Sequence, residues 1–250
     1  SRIANFGLTP QWKPNDWLTF RGIVDWQRKT HAKTLPLIFT AGDFAPPETP
    51  KGYYGQDWAE GESQSENYGA IATAQLAPHW SLAAGVFRSI ADNPVSYADL
   101  YVNTQPDGTA EQLVVASPDQ KTSSTSGELR LTGHFGAAAW RHWVVFMARG
   151  RDTLALYGGS DVVDVGPGRI DQDIQVPKPS FVFSERTRDR ARLLSAGVGY
   201  RAQWQGHADF AFGIQQESYD KYVVSPSLPA AQLTDHPLRA YASAAVALTP

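Results

Sequence analysis

The sequence predicts an all-β protein, an antiparallel up-and-down transmembrane β-barrel segment of about nine strands. Three observations carry that expectation. Two-faced alternation recurs along the chain, connections alternate between short and long, and tryptophans gather beside the short ones. Alternation of apolar and polar residues is the period of a strand with two unlike faces.

The elements follow in order. Ala4, Phe6 and Leu8 oppose Asn5, Gly7 and Thr9. In WLTFRGIVDWQRK, Leu18, Phe20, Gly22, Val24 and Trp26 oppose Thr19, Arg21, Asp25, Gln27 and Lys29. Tyr68, Ala70, Ala72, Ala74 and Leu76 oppose Asn67, Gly69, Thr73 and Gln75, and Leu82, Ala84 and Val86 oppose Ser81, Ala83 and Gly85. Leu129, Leu131 and Phe135 oppose Glu128, Arg130, Thr132 and His134. WRHWVVFMARGR is apolar on both faces, which leaves its register open. Leu194, Ala196, Val198 and Tyr200 oppose Ser195, Gly197, Gly199 and Arg201. Phe210, Phe212 and Ile214 oppose Asp209, Gly213, Gln215 and Glu217. Ala242, Ala244, Val246 and Leu248 close the series against Tyr241, Ser243 and Ala245. Each run approaches the ~9–11 residues with which a tilted strand crosses a bilayer.

Composition narrows the class. The 250 residues carry a net charge of -3, so nothing polybasic points to nucleic acid. There is no cysteine, hence no disulfide framework and no thiolate metal site. No apolar run is long enough for a transmembrane helix, but barrel strands give only weak hydropathy signals.

Connections are short at Lys13 to Asp16, Ala77 to His79, Gly136 to Ala139 and Gln205-Gly206. They are long and rich in Gly, Pro, Asp and Ser at His31 to Glu66, Ala91 to Thr125, Asp152 to Asp189 and Ser218 to Pro237. Short periplasmic turns and long extracellular loops are the layout of an outer-membrane barrel. Several long structureless loops would instead count against a soluble domain. Trp12, Trp80, Trp140 and Trp204 each sit beside a short turn, while Trp26 and Tyr68 sit beside a long loop. Two aromatic levels bounding an apolar band form a membrane-interface girdle. Gly7, Gly69, Gly85, Gly197, Gly199 and Gly213 fall on the inward parity, as bends or as places of close approach.

Catalytic chemistry finds no support. The six histidines are scattered, and no serine stands in a nucleophile elbow. GGSDVVDVGPG lacks the lysine and the helix of a phosphate loop. Asp161, Asp164, Asp171 and Asp173 match no calcium loop and read as solvated charges. No cofactor is expected. Binding is better supported: a bulky anionic ligand needs aromatic surfaces and Arg donors. Tyr53, Tyr54 and Trp58 in GYYGQDW, Tyr97 and Tyr101, and Arg149 and Arg151 are the loop and mouth candidates. Arg21, Asp25, Arg130, Asp209 and Glu217 are expected to face the lumen.

GVFRSIADNPVSYADLYVNTQPDGTA, RHWVVFMARGRDT and the closing ASAAVALTP resemble segments of TonB-dependent outer-membrane siderophore receptors. The resemblance implies a ferric siderophore as cargo, outer-membrane lipid around the wall, and TonB acting through a plug domain. It also implies the cell outer membrane of a Gram-negative bacterium. The family's plug, its twenty-two strands and its terminal aromatic strand have no counterpart in these residues. Residues 1–250 are therefore expected to be an incomplete part of such a barrel domain, with Ser1 and Pro250 as cut points. A passive porin-type channel, a soluble β-sandwich that binds glycans, and a receptor for another cargo such as cobalamin are the alternatives.

Overall fold

The structure, a computed structural model, describes residues 1–49, 51, 53–136 and 139–247. Its strands are β1 (Arg2–Leu8), β2 (Gln11–Asn15), β3 (Leu18–Ala32), β4 (Leu37–Thr40), β5 (Gly61–Ala77), β6 (Trp80–Thr104) and β7 (Thr109–Ser117). They continue as β8 (Gln120–Phe135), β9 (Trp140–Tyr157), β10 (Asp161–Arg169), β11 (Thr187–Trp204), β12 (Ala208–Ser225), β13 (Leu228–Asp235) and β14 (Leu238–Val246).

Both edges of the main sheet are strands interrupted by proline. β1 and β2 run along β3, broken at Thr9-Pro10, and β13 and β14 run along β12, broken at His236-Pro237. Proline cannot donate to a ladder, but its carbonyl still accepts. Pro10 takes the Gly22 N–H at 2.8 Å and Pro237 takes the Glu217 N–H at 3.0 Å. Such a residue is tolerated at an edge. The main sheet is thus an antiparallel meander of nine strands in the order β1-β3-β5-β6-β8-β9-β11-β12-β13. Among the described residues, no ladder joins the first strand to the last.

Turns at Asp16-Trp17, Pro78-His79 and Gln205 to His207 gather at one end of the meander. Gly206 supplies the positive φ of 76° that the last of these requires. The turn between β8 and β9 is at the same end; residues 137 and 138 within it lie outside the described residues, as does Leu248. At the other end, much of what reads as loop is strand. The stretch Ser218 to Pro237 is a hairpin whose strands run on to a tip at Pro226-Ser227. There the strands outlast the apolar pattern, because polar residues keep pairing once the ladder is set. A second sheet, in the order β4-β6-β7-β10, rises from the far half of β6 and holds a parallel pairing, β4 with β6.

Register joins the apolar parities of successive strands into one face. One row runs Ala74, Leu82, Leu131, Phe146, Val198, Ile214 and Ala240. The row beyond it runs Ala72, Ala84, Leu129, Ala148, Ala196, Gln216 and Leu238. The β9 ambiguity is thereby settled: Trp140, His142, Val144 and Phe146 lie on the apolar face, and Trp143, Val145 and Met147 on the other.

Exposure runs opposite to that of a water-soluble sheet. Phe212 is 56% and Leu194 64% exposed on the apolar face, whereas Glu217 on the polar face is 6% exposed. Phe20 and Leu131 are half-buried by their neighbours in the sheet. Among the described residues, each substantial contact between elements joins ladder partners, so no second layer covers this face. From the Trp140–Trp204 row to Leu194 the face carries no Asp, Glu, Lys or Arg. Ten residue steps at ~3.4 Å, tilted by ~45°, give a band about 25 Å tall, the height of a transmembrane barrel's apolar belt.

Candidate functional site

The inner face holds a groove of about 580 Å³ between β5 and β11, floored by Ile71, Phe87 and Leu193 and flanked by Glu128, Arg130, Arg149 and Arg151. Alternation along β9 aims both Arg149 and Arg151 inward. Arg149 Nε donates to Ser195 Oγ at 3.0 Å, and Arg151 Nε donates to Ser124 Oγ at 3.1 Å. Glu217 anchors this end of the groove: Arg149 lies 4.0 Å from its carboxylate, Arg239 lies 3.0 Å away, and Gln215 donates to it at 2.6 Å. One carboxylate thus orients two guanidiniums, and each keeps donors free for an anionic group. Arg151 has no ion pair among the described residues.

The remaining expected lumen residues stand on the same face. Arg21 donates to Gln11 at 3.0 Å, and Asp25 accepts from Asn67 at 3.1 Å. Arg130 pairs with Glu128, and Asp209 pairs with Arg201. Sequence reasoning missed Trp143, while Tyr241 already stood on the parity opposed to the apolar residues. Trp143 lies under the Arg201 guanidinium at 5.2 Å. Tyr241 lies across Gly199 and Gly213, where a Cβ would meet its hydroxyl at 2.8 Å and its ring at 2.5 Å. These two inward glycines are places of close approach. The apolar-on-both-faces β9 was the one available signal for Trp143.

The loop candidates sit elsewhere. Asp92 pairs with Gln64 while Val95 pairs with Glu62, so β6 carries one extra residue around Asn93-Pro94. A bulge of this kind shifts the alternation. Tyr97, Asp99 and Tyr101 consequently share the parity of Val95 and Glu62, the outward one. The Asn-Pro pair was the sequence signal for it.

This outer face is covered by residues 53–59 and 170–183. Tyr54, Tyr101 and Ile170 form a small core with Ile38 and Ala110, and Tyr101 donates to the Tyr54 carbonyl at 2.9 Å. Gln56 donates to the Ile174 carbonyl at 2.8 Å and accepts from Val176 N at 2.9 Å. Trp58 donates to the Val176 carbonyl at 2.8 Å and meets Tyr97 edge-on at 5.7 Å and Phe181 at 6.0 Å. Asp99, 3% exposed, accepts from Gln56 N at 2.8 Å and Tyr53 Oη at 3.2 Å. Burial pushes its carboxyl up against the pull of those two donors. Burial, then the Asp99 charge, pushes the Tyr101 phenol up to about 12, and the same two causes raise Tyr53. Tyr54 and Tyr101 hold the outer layer together, and the structure does not bring them to Arg149 and Arg151.

The aromatics expected at a membrane interface lie on the apolar face. Trp140 stacks on Trp204 at 5.6 Å, and Trp204 stacks on His207 at 4.2 Å. His142 Nδ1 shares a hydrogen bond with Tyr200 Oη at 2.6 Å. Trp12 stacks on Phe20 at 5.4 Å, and Trp80 covers Gly133. At the opposite level Trp26 pairs in register with Phe6 and Tyr68 with Val24. His134 instead faces inward, edge-on to His79 at 5.4 Å. In the Asp161 to Asp173 stretch, the carboxylates are engaged by Val182 N, Gly166 N, Arg169 and Gln175.

No protein-family model and no curated protein sequence matches the chain. Solved structures do. The ferripyoverdine receptor of the outer membrane of Pseudomonas aeruginosa superposes with a TM-score of 0.77 at 16% identity, over 99% of this chain and 34% of that one. The chain shares the fold of part of that structure's β-barrel. BauA, the ferric preacinetobactin receptor of Acinetobacter baumannii, gives 0.74 at 13% identity, over 94% of this chain and 36% of that one. The ferric citrate transporter FecA gives 0.72 at 11% identity, over 99% and 34%. The chain therefore spans about a third of the length of these structures.

Proposed function

We propose that the chain forms part of the wall of a TonB-dependent outer-membrane receptor that takes up a ferric siderophore. The observation that carries this reading is the uncharged apolar band around a sheet whose inner face is polar. Hydrocarbon is the solvent that such a face suits, since the backbone groups between the two edges are paired in ladders and the rest of the barrel wall would pair the edges. The apolar face is turned to lipid and the turn end to the periplasm. The strands and their covering layer then extend outside the cell, where ligand arrives. TonB acts through a plug domain, and the chain performs no covalent chemistry.

Arg149 and Arg151, held by Ser195, Glu217 and Ser124, supply the cationic side of the ligand path, and Phe87 and Leu193 supply its apolar side. Trp58 and Tyr97 offer a second aromatic surface on the outer layer. The test uses the complete receptor in a strain lacking it, supplied with ferric catecholate, hydroxamate and carboxylate siderophores. Restored growth on at least one is expected. R149A together with R151A is expected to weaken its binding about tenfold or more, with folded receptor retained in the membrane. Growth restored by none would overturn the iron assignment. Passive solute flux without a plug would favour the channel.

A further inference from the structure

Strand pairing brings together two histidines that are far apart in the sequence. Trp80 and Gly133 are the last partners of the β6–β8 ladder, and one step beyond them His134 N donates to the His79 carbonyl at 2.9 Å. The two residues therefore stand opposite one another at the turn end of the meander. Side chains of such a cross-strand pair leave the backbone roughly 5 Å apart at their Cβ atoms. Their ring centres are 5.4 Å apart, the rings meet edge-on, and both residues are exposed. Among the described residues neither ring is engaged in a hydrogen bond, whereas His142 Nδ1 meets Tyr200 Oη at 2.6 Å and His207 Nδ1 meets the Gln205 carbonyl at 2.8 Å. His31 Nδ1 likewise meets Thr30 Oγ1 at 3.1 Å.

Two uncommitted imidazoles at this separation are a donor set for a late first-row divalent ion. Two imidazoles sharing one tetrahedral ion, at about 2.1 Å per nitrogen, hold their ring centres roughly 5 Å apart. The backbone has already fixed that spacing, so each ring need only turn about its Cβ–Cγ bond to aim a nitrogen at a common point. Imidazole suits copper, nickel and zinc, whereas calcium and magnesium call for oxygen ligands. No third histidine, aspartate or glutamate completes the set among the described residues, so the ion keeps positions open to water. We propose that His79 and His134 bind one such ion, copper(II) most tightly, through one nitrogen each. The ion would clasp the β5–β6 turn to the end of β8. The site stands apart from the Arg149 and Arg151 groove and does not depend on the uptake reading.

The test takes the complete receptor, purified without a polyhistidine tag and stripped by a chelator, and titrates it with copper(II). Electron paramagnetic resonance counts the bound ion, and electron spin echo modulation reads the remote nitrogen of each coordinated imidazole. A copper ion carrying two imidazoles is expected, and excess calcium is expected not to displace it. H79Q and H134Q are each expected to weaken that site by more than about tenfold, the least that losing even an outer-shell partner costs a metal site. What copper remains there is expected to carry a single imidazole. H142Q, at a ring already engaged by Tyr200, is expected to leave the site unchanged. A parent receptor without a two-imidazole copper signal would overturn the proposal. So would survival of that signal in H79Q or in H134Q, or an equal loss in H142Q.

Discussion

At the residue scale, Asp99 shows what sequence conveys and what it does not. A charged residue between Tyr97 and Tyr101 reads as a surface loop position, yet the segment 53–59 folds over it. Nothing local announces a partner more than forty positions away. Its raised pKa fixes the sign of the pH dependence. A carboxyl that titrates higher in the fold than in the unfolded chain favours folding most below its unfolded pKa. That contribution is lost as pH rises through the folded value. D99N removes the buried charge and keeps an acceptor for Gln56 N and Tyr53 Oη. It is expected to make the outer layer more resistant to proteolysis at pH 8 and to flatten its pH dependence. Unchanged cleavage between pH 4 and pH 8 in the parent would contradict that account.

At the element scale the strands were legible because their period is two and their apolar residues keep one parity. β9 was not, since Trp143, Val145 and Met147 give its inner face apolar residues as well. Its register comes from β8 and β11, which are neighbours in space. The far half of β12 was read as loop because a polar strand has no contrasting face to reveal it, and that of β6 because Asn93-Pro94 resets its parity and apolar residues then fall on both faces. The two parities of β12 also predict a contrast. F212R would place a charge in the hydrocarbon band and cost about 2–4 kcal/mol if near its middle. Q215R, one face away, would face water and cost far less. Denaturant unfolding from lipid vesicles measures both, and equal costs would remove the lipid from the account.

For the whole molecule, the alternation of short and long connections was visible in the sequence and fixed which end is which. The candidate site was only partly visible. Arg149 and Arg151 were singled out where a strand was expected to give way to a loop, whereas β9 runs on to Tyr157, and Glu217 and Ser195 reach Arg149 only through tertiary pairing. The aromatics of GYYGQDW serve largely as the outer layer's own core. The girdle is directly measurable in variants that keep a single tryptophan. Trp140 or Trp204 alone should be quenched by lipids brominated near the headgroup, and Trp143 alone should be quenched by aqueous iodide. Reversal of that pattern would turn the sheet inside out.

The 25 residues of β6 belong to both sheets without a break in the chain. Its near half is riveted to β5 and β8, and its far half to β4 and β7. A pull on the outer layer is therefore transmitted through covalent bonds before any ladder yields. The irregular step at Asn93-Pro94 is where that ribbon has fewest lateral supports, so torque applied outside would be felt there first.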